Sequence, residues 1–237
     1  MKNLLYKELK LSIHPLCYVF IFGFGFMVLI PQYPVVIGFI YTLASYTFIF
    51  IGVNKGQSTN DLLYTVTLPI RKQEVIKARL LSISLMHLMT MLMLLILSPI
   101  KVQIDSQIIA EQIAAGIPEA EVVADIGFGA DCIFGIFSTA LICFAIHDLI
   151  YFSMFYKHGK SVVAPTLVGI LIFTVLLMGF SVFIPLAFPS LIQFFKISNQ
   201  STILYQVIIF IISLLFYLGM RLITYKVSYK ELEQIDF

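Results

Sequence analysis

Residues 11 to 54 contain no Asp, Glu, Lys or Arg, and His14 is the one histidine among them. About 20 apolar residues cross a hydrocarbon core of roughly 30 Å. A charge-free run this long cannot be covered by a water-soluble fold, and it is long enough for two crossings. The sequence Pro31-Gln32-Tyr33-Pro34 supplies the turn between them. Two spans are therefore predicted, over residues 16–30 and 35–53. The rest of the chain agrees: 60% of its 237 residues are hydrophobic and only 12% are charged. A soluble domain carries about 25% charged residues. The net charge of +2 is too small, and the basic residues too scattered, to point to nucleic acid.

Four further spans follow, over residues 80–98, 132–156, 161–184 and 203–223. The fifth is taken to end near Ile184, because Pro185 and Pro189 mark an irregular segment. The expected fold is all-α, a single polytopic domain with six transmembrane helices. With the N-terminus inside, thirteen of the fifteen Lys and Arg residues fall in cytoplasmic segments, and only Lys101 and Lys196 fall outside. This bias places both termini in the cytoplasm of a multi-pass plasma-membrane protein, with residues 224–237 as a tail.

Residues 1–15 are predicted to form an interfacial helix in contact with membrane lipids. Leu5, Leu9 and Ile13 share one side, and Asn3, Lys7, Lys10 and His14 lie largely on the other. A frayed extension of the first span is the alternative. The apolar stretch is too long for a signal peptide, and no small-residue cleavage site follows it. The outer segment, residues 99–131, carries six acidic residues, with Ile109, Ile113 and Ile117 at helical spacing and breakers at Gly116 and Pro118. A short pair of helices capping the outer face is expected there. Its acidity reads as solvated surface or as a recognition surface for a cationic substrate.

The segment from 54 to 79 is the most informative. Ser58 and Asp61 form a capping box that starts a short helix over residues 60–66, Pro69 ends it, and Arg71 opens a helix into the third span. Leu62, Leu63 and Val66 recur on one side of a short helix facing the cytosol, a clustered apolar set that fits a partner's groove. Asn60, Asp61, Leu62 and Leu63, followed by Leu68, Pro69, Arg71, Lys72, Glu74 and Val75, resemble the first cytoplasmic loop of type-2 ABC exporter permeases. In that family an acidic residue and two leucines precede a Leu-Pro-x-x-Arg-x-x-x-Val pattern; here Lys72 stands in the place of its basic residue, with Arg71 one position earlier.

The resemblance implies a coupling helix that docks on a separate nucleotide-binding ATPase subunit, and a second permease copy or a paralogue to complete the pathway. It also implies export of a peptide or another amphipathic molecule. The chain has no GxxxxGK[ST] phosphate loop. It is therefore expected to have no enzymatic activity and no cofactor of its own, with ATP and Mg on the partner. A membrane-embedded enzyme and a non-transporting immunity or assembly protein are the competing readings.

Inside the predicted spans, His147-Asp148 is the sharpest chemical feature. A carboxylate at the bilayer centre costs up to roughly 2.5–3.5 kcal/mol on insertion scales, so Asp148 should face the bundle and find a donor. His87 and a basic residue near the cytoplasmic end of the third span are the candidates, and a gating or coupling role follows. The alternative ends the fourth span near Ile146 and leaves both residues at the interface. His87 taken alone reads as a hydrogen-bonded structural histidine. Cys17, Cys132 and Cys143 lack metal-ligand spacing and read as small buried hydrophobes. The four histidines are dispersed, with no HExxH and no carboxylate cluster.

Overall fold

The computed structural model of the chain describes residues 2–9, 30, 35–40, 43, 71–116, 129–158 and 163–234. Among these it is 91% helical and contains no strand. The principal helices are α1 (Lys2–Lys7), α2 (Lys72–Ala114), α3 (Ile133–His158) and α4 (Val163–Met178). They are followed by α5 (Ile184–Ala187), α6 (Pro189–Phe195) and α7 (Ile203–Glu233). Four segments are long and apolar enough to cross a membrane: Lys72–Ala114, Ala130–Lys157, Leu167–Ala187 and Ile203–Glu233. Their exposed surface, especially Leu204, Ile211, Ile212, Leu215 and Leu222 on α7, is apolar. Several such helices point to a membrane protein. The two spans expected over 16–53 lie almost wholly outside the described residues, as do residues 60–70 with the capping box and Pro69.

Helix α2 corrects the expected outer segment. It has 43 residues and runs unbroken past residue 98, where the sequence reading ended the third span. At 1.5 Å per residue it is about 65 Å long, twice a hydrocarbon core. Pro99 should interrupt it, since proline removes the hydrogen bond to residue i−4. The Ser98 hydroxyl supplies the missing donor to Leu95 O at 3.1 Å. One turn on, Lys101 is buried and pairs with Asp105 at 2.8 Å while donating to Ile30 O at 2.7 Å. The first residues assigned to a loop are thus the continuation of the helix. It stops where expected, at Gly116, whose φ of 91° suits glycine.

The C-terminal tail is helical as far as Glu233. Residues 224–233 continue α7, because Leu232 is fully buried with Ile76, Leu80, Tyr151, Phe152 and Tyr156. Lys72 Nζ donates to Leu232 O at 3.3 Å, tying the end of α7 to the start of α2. The larger core lies toward the middle and opposite end of the bundle, around Phe39, Leu94, Phe144, Phe173 and Tyr217. Between α4 and α6 the expected irregularity is a π-helical turn over Gly179–Phe183 and a bend at Phe188, flanked by two short helices. The described parts of both chain ends pack at one end of the bundle, called here the termini-bearing end.

Helix α1 packs against the start of α2 through a residue outside the expected apolar side. Leu4 is buried with Val75 and Ala78 of α2, while Leu5 and Leu9 are half-buried and Tyr6 is exposed. Its other buried residue is Glu8, absent from the expected amphipathic pattern.

Candidate functional site

Three helices bring polar side chains together toward the termini-bearing end, and a fourth closes against them. Leu80, Ser84 and His87 are spaced four and three apart, so they share a face of α2, and Tyr217 and Arg221 share a face of α7. Helix α3 contributes His147 and Asp148, and α4 contributes Gly169. Asp148 is 1% exposed and His147 and His87 are 2% exposed, so the site is closed to solvent. Helix α3 runs on to His158 without a break, so both residues lie within a continuous helix.

The donor for Asp148 is Arg221. Its Nη1 lies 2.7 Å from Asp148 Oδ2, 73 positions away in the chain. Three more of its N–H groups are placed: Nη2 donates to Leu80 O at 2.8 Å and to the Ser84 hydroxyl, and Nε donates to Ser84 Oγ at 3.0 Å. Ser84 in turn bonds to Leu80 O at 3.1 Å. The fork geometry of guanidinium lets one side chain hold the carboxylate of α3 and the backbone of α2 together. Arg221 also packs over the Tyr217 ring, 5.2 Å from its centroid. A buried charge is tolerated when it is paired and hydrogen-bonded, and the Asp148 carboxylate has a partner on each oxygen.

The two histidines complete the shell. His147 Nδ1 lies 3.2 Å from Asp148 Oδ1. An ionised carboxylate can only accept, so Nδ1 carries the hydrogen. His147 Nε2 is buried without a hydrogen-bond partner. It faces Gly169, where an added Cβ would sit 3.2 Å from it, so α4 approaches the imidazole because residue 169 has no side chain. His87 Nδ1 is 3.1 Å from the Tyr217 hydroxyl and 3.9 Å from Asp148 Oδ2. Tyr217 donates to Ser84 at 3.2 Å, which leaves its oxygen as the acceptor for His87. The His87 ring also stacks on Phe144, with centroids 3.8 Å apart.

Of the candidate residues, His87, His147 and Asp148 therefore converge. Arg221 completes the group, although sequence reasoning counted it only as one more charge on the basic side. The available signal was its setting: Leu222, Ile223 and Thr224 follow it, so it lies within the helix rather than after it. The basic residue near the start of the third span, Arg79, pairs elsewhere. Its Nε lies 3.2 Å from Glu8 Oε2, and its guanidinium carbon lies 5.7 Å from the Phe155 ring centroid. In the loop, Arg71 is exposed and Lys72 and Glu74 are half-buried at the start of α2. Asn60, Asp61, Leu62, Leu63, Val66, Leu68 and Pro69 fall outside the described residues. Cys132 and Cys143 are buried free thiols. Among the described residues no group of His, Cys, Asp and Glu is arranged to hold a metal ion.

Comparison of the chain with family models, curated proteins and solved structures finds no match.

Proposed function

We propose that the chain is the permease subunit of an ATP-driven exporter, moving a peptide or another amphipathic molecule. In this reading both termini are cytoplasmic, a second permease copy or a paralogue completes the pathway, and a separate ATPase docks on residues 60–79. The observation that carries the proposal is the continuity of α2. The helix starts at Lys72, directly after the segment that resembles a coupling loop, and within four turns presents Leu80, Ser84 and His87 to Arg221 and Asp148. Twelve residues of helix, about 18 Å, separate Lys72 from Ser84. A push on the loop would move the α2 atoms that hold Arg221. The Asp148–Arg221 pair then acts as a coupling lock between α3 and α7, made in one arrangement of the bundle and broken in another. Buried ionisable groups inside membrane helices are by default functional. Leu62, Leu63 and Val66 supply the apolar contact to the ATPase, with Arg71, Lys72 and Glu74 as its polar rim.

The test is purification of the tagged full-length chain from its native membranes in mild detergent. A soluble ATPase should accompany it in stoichiometric amount. Leu63→Asp should abolish that association while leaving insertion intact, since losing one apolar anchor costs about 2 kcal/mol or more, roughly thirtyfold in affinity. Asp148→Asn should retain the ATPase and lose substrate-stimulated turnover. Purification without any ATPase, or a full complement bound to Leu63→Asp, would remove the basis of the proposal.

A further inference from the structure

Helix α1 is held to the bundle by a contact that the coupling reading does not use. Its described residues run from 2 to 9 and are helical throughout. Among its contacts are one apolar and one charged, a turn apart. Leu4 fits among Val75 and Ala78, and Glu8, four residues later, is completely buried. Glu8 Oε2 accepts from Arg79 Nε at 3.2 Å, and the side chains of the pair are 0% and 8% exposed. The second carboxylate oxygen, Oε1, is buried without a hydrogen-bond partner.

These facts describe a contact that is specific yet incomplete. A buried carboxylate is tolerated only beside its partner charge, so α1 stays docked only while Arg79 remains in place. The unfilled Oε1 reduces what docking gains, because an unsatisfied buried acceptor costs free energy. Arg79 is also next to Leu80, whose carbonyl accepts from Arg221. The contact that holds α1 and the contact that holds α7 thus lie on adjacent residues of α2. A rotation or shift of α2 that withdraws Leu80 O from Arg221 also withdraws Arg79 from Glu8.

We propose that α1 is a charge latch on the termini-bearing end of the bundle: it is docked through Glu8–Arg79 in the described arrangement and released when the start of α2 moves. The latch is independent of any ATPase, so it can be tested on the chain alone. The full-length protein, with its three native cysteines replaced, is reconstituted in lipid vesicles carrying Leu4→Cys and Ala78→Cys. A short bifunctional thiol reagent then reports docking. The parent should cross-link efficiently. Adding Glu8→Gln removes the carboxylate charge that Arg79 Nε faces and should reduce the yield by about tenfold or more. Combining Glu8→Gln with Arg79→Met removes both charges and should bring the yield back to within about twofold of the parent. An unchanged yield in Glu8→Gln would overturn the latch, as would a double variant as poorly cross-linked as the single one. If Glu8→Gln fails to insert, Glu8→Asp decides instead, because it keeps the charge and withdraws it by one methylene. It should give an intermediate yield, and a parental yield would overturn the proposal. Failure of the ATPase to co-purify would leave each of these outcomes unaffected.

Discussion

Two buried ion pairs of the bundle, Lys101–Asp105 and Asp148–Arg221, have similar lengths, 2.8 and 2.7 Å. They differ in what their length depends on. Lys101 and Asp105 are one turn apart on α2, so the pitch of the helix sets their separation, and no movement of one helix against another changes it. Asp148 and Arg221 sit on α3 and α7, so their separation is itself a coordinate of the packing between those helices. The first pair is a staple that carries α2 past Pro99 and holds Ile30 O. The second can work as a switch. Burial alone does not tell the two apart; the topology of the pair does.

The largest expected effect therefore belongs to Asp148. Asp148→Ala leaves Arg221 buried without its counter-charge, and loss of one partner of a buried pair costs about 3–5 kcal/mol. Reversible unfolding of the purified protein in mixed micelles should show that loss. Replacing both partners, Asp148→Leu with Arg221→Met, should recover most of the stability. In the coupling reading it should not recover transport, because the lock is gone while the packing remains. A cost below roughly 1 kcal/mol for the single change would mean that the pair does not hold α3 and α7 together.

Lys101→Met should cost less, about 1–2 kcal/mol, although Lys101 is as deeply buried as Asp148. Losing Lys101 breaks a pair within one helix and takes one close donor from Ile30 O, whereas losing Asp148 leaves both Arg221 Nη1 and His147 Nδ1 without their acceptor. Turnover should be unaffected, because a staple within one helix senses no relative motion. A Lys101→Met protein that is stable but inactive would erase the distinction between the two pairs.

The class of the fold was legible in sequence because it depends on local properties. Charge-free runs place helices, and Gly116 ends α2 where its backbone requires a glycine. Element ends were less legible. The continuation of α2 depends on the Ser98 hydroxyl replacing a backbone donor, and that of α7 on Leu232 meeting Ile76 and Tyr156 from distant parts of the chain. At the candidate site, Asp148 was conspicuous because a carboxylate in an apolar run needs a reason. Its partner was not, because Arg221 lies near the end of the span expected over 203–223, where basic residues are ordinary. Glu8 stayed hidden for the opposite reason. Beside Lys7 and Lys10 it reads as one more charge on a wet face, until Arg79 is found opposite it.

The smallest effect tests why the staple exists at all. Proline at 99 gives Leu95 O no backbone N–H, and Ser98 Oγ reaches that carbonyl at 3.1 Å. Ser98 is 8% exposed, so water does not readily substitute for it. Ser98→Ala should therefore cost about 1 kcal/mol, the net worth of a typical intramolecular hydrogen bond. Pro99→Ala restores the N–H, and with it the ordinary i→i−4 bond to Leu95 O. In that background Ser98→Ala should be close to neutral. The cycle of four proteins, measured by the same micellar unfolding, isolates the hydroxyl as a replacement for the missing donor. An equal cost in both backgrounds would show that Ser98 does something other than bridge the proline, and α2 would then owe its passage into residues 101–114 to Lys101 and Asp105 alone.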